Sequence, residues 1–138
     1  MGALKRFGVS VEKELLAKFD RLIARKGYTN RCEALRDLMR ATLIEKAWTD
    51  NAPTVATVTL VYDHHDPGLE AQLTEIQHHH HENVVAAMHS HLDEEDCLQV
   101  IILRGKAKAI KRLADALISA KGVKHGDMVM TAGGRALR

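Results

Sequence analysis

The hydrophobic period changes once within the first fifty residues, and the module this produces is too small to enclose a core. Phe7, Val9 and Val11 alternate with Arg6, Gly8 and Ser10, the period-2 pattern of a strand with one buried face. From about Glu12 the period lengthens, and Leu15, Leu16, Phe19, Leu22 and Ile23 fall on one face of a helix that Gly27 stops. Asn30-Arg31-Cys32-Glu33 has the form of a capping box. The helix it opens buries Ala34, Leu35, Leu38, Met39, Thr42 and Leu43. One strand and two helices remove too little apolar surface from water to stand alone, and a lone strand leaves its edge unpaired. Both problems disappear if two chains pair their strands and interlock their helices. The sequence therefore predicts a dimerising module over residues 1–50.

Asp50-Asn51-Ala52-Pro53-Thr54 reads as a short linker. Beyond it the pattern runs strand (Val55 to Tyr62), helix (68–81), strand (Val84 to Leu92), polar turn (Asp93 to Asp96), strand (Cys97 to Leu103), helix (about 106–120) and strand (Val123 to Met130). That order, βαββαβ, predicts a ferredoxin-like sandwich of four antiparallel strands with two helices on one face, over residues 51–138. The fold class is α+β. Residues 132–138 read as a loose tail.

Charge separates the two parts as well. Residues 1–50 hold 11 Lys/Arg against 7 Asp/Glu, and the remainder holds 9 against 11. A basic first module and a mildly acidic second one point to different partners. Aromatic residues reach only 4%, which argues against a base-stacking platform. No apolar run approaches the roughly 18 residues of a membrane span. Cys32 and Cys97 make no disulfide framework, and a metal-binding thiol needs a reducing compartment, so the expected location is the cytoplasm.

The chemistry is concentrated in twenty residues. His78-His79-His80-His81, His89, His91 and Cys97 include six of the nine histidines and one of the two cysteines. Imidazole and thiolate are the donors that suit Ni, Cu and Zn. His89 and His91 are two apart on a strand, so their rings share a face. Cys97 opens the next strand across a tight turn, which brings its sulfur to the same end of the sheet. A fourth donor must come from elsewhere, and the histidine run closing the preceding helix can provide it. Spacing alone does not choose between a Zn tetrahedron and a planar Ni(II) or Cu(II) set. Taken singly, a His-X-His is a common surface coincidence and a buried Cys is usually core filler. His64 and His65 read as a solvated loop rather than an accessory site.

Gly27-Tyr28-Thr29-Asn30-Arg31-Cys32-Glu33-Ala34-Leu35-Arg36-Asp37, followed by Gln77-His78-His79-His80-His81, His89-Ser90-His91 and Asp96-Cys97-Leu98, resembles the NikR family of nickel-responsive transcriptional regulators. The resemblance covers nearly the whole chain. It implies a ribbon-helix-helix DNA-binding domain followed by an ACT-type (ferredoxin-like) nickel-binding and tetramerisation domain, in a homotetramer that is a dimer of dimers. It also implies one planar Ni(2+) site per subunit, held by His89, His91 and Cys97 of one chain and His78 of a facing chain. Paired N-terminal strands would enter the major groove of double-stranded operator DNA with Arg6, Gly8 and Ser10 outward, and amides near Asn30 and Arg31 would hold phosphate. Gly8 departs from the polar residue relatives often carry there, so the operator sequence does not transfer. Gln99 stands where some relatives have glutamate. An accessory cation site at Glu33 and Asp37 is weighed evenly against charge balance with Arg36 and Arg40.

The function so implied is a nickel-dependent repressor of nickel-uptake genes, not an enzyme. A metal store or chaperone would explain the histidines but not the basic module, and a sensor of Cu or Zn would use the same donors. An ACT-type domain for a small ligand would explain the strand order but not the donor set. A catalytic metal needs an open coordination position, which four protein ligands in a plane do not leave there.

Overall fold

The computed structural model describes residues 2–137. They form two compact units, one running to Leu43 and including the C-terminal turn from Gly134, the other spanning Ile44–Gly133. The first unit holds α1 (Lys13–Arg25) and α2 (Arg31–Thr49) as far as Leu43, and both helices follow the sequence signals closely. Gly27, at φ 90°, takes the left-handed conformation that lets the Tyr28 amide reach the Ile23 carbonyl at 3.0 Å. Asn30 Oδ1 accepts from the Glu33 amide at 3.0 Å and caps α2.

The expected strand over residues 6–11 is not formed within the chain. Residues 2–12 carry no regular secondary structure, and Phe7, Val9 and Val11 are exposed. A ladder requires a second strand's N–H and C=O groups, and the described residues of this unit contain no other strand. Of the predicted α2 core, Ala34 is buried, whereas Leu35, Leu38, Met39 and Leu43 remain exposed. These apolar side chains have no cover of their own, in keeping with a module too small to fold by itself.

The second unit is the expected βαββαβ sandwich. Strands β1 (Pro53–Asp63), β2 (Val84–His91), β3 (Asp96–Lys106) and β4 (Val123–Thr131) form one sheet in the order β2-β3-β1-β4, every neighbouring pair antiparallel. Helices α3 (Pro67–His79) and α4 (Ala107–Ile118) cover one face. Along β1 burial alternates strictly, so Thr54, Ala56, Val58, Leu60 and Tyr62 point inward while their neighbours do not. The inward set packs with Leu69 and Leu73 of α3, Ile101 and Leu103 of β3, and Ile110, Leu113 and Leu117 of α4. On the opposite face Val55, Val61, Leu98 and Val100 are half-buried, and Met88 and Val129 are exposed.

Two expectations need correction. Asp50 to Thr54 is not a loose linker. Asn51, at φ 56°, makes a corner whose Oδ1 accepts from the Lys108 amide at 2.8 Å, while the Ala52 carbonyl accepts from Ala107 at 3.2 Å. The corner thus satisfies amides at the start of α4, groups that no helix can satisfy internally. Nor is the C-terminus featureless: Ala132 is buried and Gly134–Leu137 forms a 3-10 turn, with Arg138 outside the described residues.

Gly126 of β4 lies opposite Leu60, and a Cβ there would stand 2.9 Å from Ile118 Cγ2 and 3.1 Å from Leu60 Cδ2. Gly126→Ala is therefore expected to destabilise the second unit by about 1–3 kcal/mol through overpacking. Urea unfolding at matched protein concentration checks this, and an unchanged midpoint would mean that α4 can shift off the sheet at little cost.

Candidate metal centre

Strand β3 positions the centre because it is bonded on both sides. Cys97 stands in register with Tyr62 of β1 and with His91 of β2, and Gln99, two residues on, stands opposite His89. Side chains alternate across a pleated sheet, so His89, His91 and Cys97 share the helix-covered face with Tyr62. The rings of His89 and His91 are nearly parallel, 12° apart with centroids at 5.6 Å. Cys97 is fully buried beneath them, whereas both histidines are exposed. This is the juxtaposition the spacing predicts.

The turn between β2 and β3 is held tightly. Asp93 Oδ1 accepts from the amides of Glu95 and Asp96 at 2.8 and 2.7 Å, which keeps the Asp93 carboxyl below its ordinary range. Lys124 donates to Asp96 at 2.7 Å and offsets part of the acidic cluster. His64, after β1, donates from its amide to the Glu95 carbonyl at 2.9 Å and from Nε2 to the Glu94 carbonyl. It is half-buried, with its ring 4.7 Å from that of His91. The solvated-loop expectation therefore suits His65, which is exposed, and not His64, which the turn and His91 hold in place.

Two donor triads result. Ligand atoms of His64, His91 and Cys97 all lie within 4.8 Å of one another, and so do those of Glu70, His89 and Cys97. Glu70, in the first turn of α3, has no signal in the sequence. Its role depends on where that turn lands on the sheet, and only the fold reveals that.

His78 is in neither triad. It lies exposed in the last turn of α3, beside the rings of His79 and His81 at 6.5 and 6.4 Å. His80 and His81 donate from Nδ1 to the Ile76 and His78 carbonyls at 2.9 and 3.3 Å, closing the last turn of the helix. One chain therefore sets His89, His91 and Cys97 on one face of the sheet, each histidine grouped with Cys97 in a different triad, and leaves His78 in neither. Two imidazole nitrogens and a thiol on one face suit a borderline transition metal and lack only a further donor.

The remaining sequence candidates lie in the first unit. Arg6, Gly8 and Ser10 are exposed in the segment before α1. The Asn30 side chain serves as the α2 cap. Arg31 is held by Asp20 through two bonds, at 2.9 and 2.8 Å. Asp37 accepts from the Tyr28 hydroxyl and from Arg40 at 3.2 Å, while Glu33 is exposed.

The C-terminal nickel-binding domain of NikR matches residues 55–131, and the ribbon-helix-helix proteins of the copG family match residues 5–46. A protein of Geobacter sulfurreducens, provisionally named a nickel-responsive regulator, is 55% identical over 99% of both chains. One from Thermococcus onnurineus with the same provisional name is 50% identical over 97% of this chain and 98% of its own. This chain belongs to the NikR family of nickel-responsive regulators. The family is one of transcriptional regulators rather than enzymes. An uncharacterized protein from Thermotoga maritima shares the fold alone, with a TM-score of 0.51 and 19% identity over 56% of this chain and 96% of its own.

Burial raises the Cys97 thiol above its ordinary value, and the negative charges of Glu70, Asp96, Asp63 and Asp93 add to the effect. Burial likewise pushes Tyr62 up to about 12, helped by Glu70 and Cys97, so the phenol behind the thiol stays neutral. A metal bound by the thiolate must displace the thiol proton, and a raised pKa makes that proton harder to displace. Nickel affinity is therefore expected to rise about tenfold per pH unit from about 7.5 to 8.5, where imidazole donors are already neutral, with one proton released from Cys97. Chelator competition across that range, with calorimetry in buffers of different ionisation enthalpy, checks slope and proton count together.

Proposed function

We propose that this chain is a nickel-dependent repressor of nickel-uptake genes, acting in the cytoplasm as a homotetramer built from two dimers. Residues 1–50 would bind operator DNA, and residues 51–138 would bind metal and assemble the tetramer. One Ni(2+) per subunit would be held by His89, His91 and Cys97 of one chain and His78 of a facing chain. The observation that carries this reading is the division of the donors: three share one face of the sheet, with Cys97 grouped with each histidine in turn, and the fourth stands exposed in the last turn of a helix, in neither group. A donor set split in this way is completed by a second copy of the chain. The apolar sheet face with Met88, Val100 and Val129 gives that copy a surface to cover. Among the described residues, no helix is long and apolar enough to cross a membrane.

Bound nickel supplies a tie between chains that the unliganded side chains lack. The residues supply the rest. The stacked His89 and His91 present two nitrogens already oriented by the β2–β3 register, and the buried Cys97 keeps its sulfur out of water. Phe7, Val9 and Val11 become the covered face once two N-terminal segments pair, which turns Arg6 and Ser10 outward toward base edges. Metal at the core would favour the arrangement in which both DNA-binding dimers reach their half-sites. Linkage then requires operator DNA to tighten nickel binding by the same factor.

Two measurements test the reading. His78→Ala and Cys97→Ala chains should each lose tight nickel binding, yet tetramers mixed from the two should recover a fraction of the sites. Recovery is possible only if a site draws on two chains, and failure to recover would put His78 in the same chain as the trio. Arg6→Ala should cost about 1–3 kcal/mol on the operator and far less on scrambled duplex. Equal losses on both, with the salt slope smaller by about one, would mean that Arg6 meets phosphate only.

A further inference from the structure

A cleft of about 570 Å³ opens in the second unit where the last turns of α2 meet the start of α4, and none of the candidate nickel donors lines it. That size is ordinary for a small-molecule site. Its apolar wall is Trp48, Ala107 and Met130. Trp48 packs against the core and its indole Nε1 donates to the Thr131 carbonyl at 2.9 Å, so the ring is held in place. Met130 stands in register with buried Ala56, on the helix-covered side of the sheet, yet is 45% exposed. It therefore faces away from the surface that Val129 offers to a second copy. Beside this wall stand Lys108, Lys111 and Arg112, three and four residues apart on one face of α4. They belong to a run, residues 104–112, with five Lys/Arg and no Asp/Glu, in a part of the chain that is acidic on balance. Asp115 pairs with Lys111 at 2.9 Å. Lys108 and Arg112 make no ion pair among the described residues, and the Arg112 Nε has only a long bond of 3.5 Å to the Lys108 carbonyl.

We propose that this cleft binds a small monocarboxylate with an apolar tail, the tail against Trp48 and Met130 and the carboxylate between Lys108 and Arg112. Basic side chains along a helix are ordinarily a solvated face. Here they rim an apolar cleft whose indole and thioether stay partly in water, and an amphipathic acid covers the one while neutralising the other. Charge selects the head group. Lys108 and Arg112, offset by Glu45 on the α2 side, leave one positive charge, which a monocarboxylate cancels and a phosphate monoester exceeds. Glu45 also orients the ligand. Its carboxylate repels the head from α2 and keeps it at α4, where the positive end of the helix dipole adds to the attraction. The inference is independent of the nickel reading, because the two sites share no residue.

Trp48 is the chain's single tryptophan, so its fluorescence reports directly on this wall. The full chain is titrated with octanoate, with octanol as the same tail without charge, and with acetate as the same head without a tail. Octanoate should give a saturable change with an affinity at least about tenfold above that of octanol, and acetate should give none. Lys108→Gln combined with Arg112→Gln should lower octanoate affinity at least about tenfold and leave octanol unchanged. Glu45→Gln should tighten octanoate binding about twofold or more. A response that does not saturate, octanol bound as tightly as octanoate, or wild-type octanoate affinity in the double variant would overturn the inference. So would acetate displacing octanoate at equal concentration. Binding unchanged or weaker in Glu45→Gln would overturn the orientation, with the head at α4.

Discussion

The pairing of β3 with both neighbours at once is the constraint from which the rest of the second unit follows. Its ladder to β1 runs the length of both strands, and its ladder to β2 fixes His91 against Cys97. Because the pleat repeats every two residues, this register assigns every side chain in the sheet to one face or the other. Leu60, Ile101 and Leu103 go beneath the helices and build the core, and Tyr62 and Cys97 continue the same row to its end. His89 and His91 extend that row onto the edge strand, where burial gives way to solvent. The candidate metal donors are thus the continuation of the hydrophobic core, at the point where the core meets water.

That position explains the electrostatics. A thiol at the core's end is desolvated and faces Glu70 and the acidic β2–β3 turn, so its proton is held firmly until a cation arrives. Lys124 counters the turn through Asp96 and leaves Glu70 uncompensated except by His89. The site is therefore negative on balance, a field that draws cations in before any bond forms.

Much of this was legible in the sequence, and the reason is local. β-rich and buried apolar runs between polar turns marked the four strands of the sandwich, helical periods marked all four helices, and a two-residue spacing put His89 and His91 on one face. The reading failed where the structure depends on something outside the segment concerned. Asn51 looked like linker because its role is to satisfy an amide at Lys108, far along the chain. Glu70 was invisible because a carboxylate in the first turn of a helix is ordinary until the fold shows which residue it faces. His64 was misjudged for the same reason: its contact is with a turn thirty residues away.

The Asp93 turn has a further consequence, for how such a chain can vary over descent. Five residues separate His91 from Cys97, and the carboxylate of Asp93 and the carbonyls of Glu94 and Glu95 are all committed to holding them. Side chains at positions 92, 94 and 95 can drift, because the bonds there are made by backbone atoms. The number of residues cannot. One residue gained or lost would slip the ladder by one position and move both histidines to the opposite face from the sulfur. Lineages that keep this centre should therefore differ in the spelling of the hairpin but not in its length.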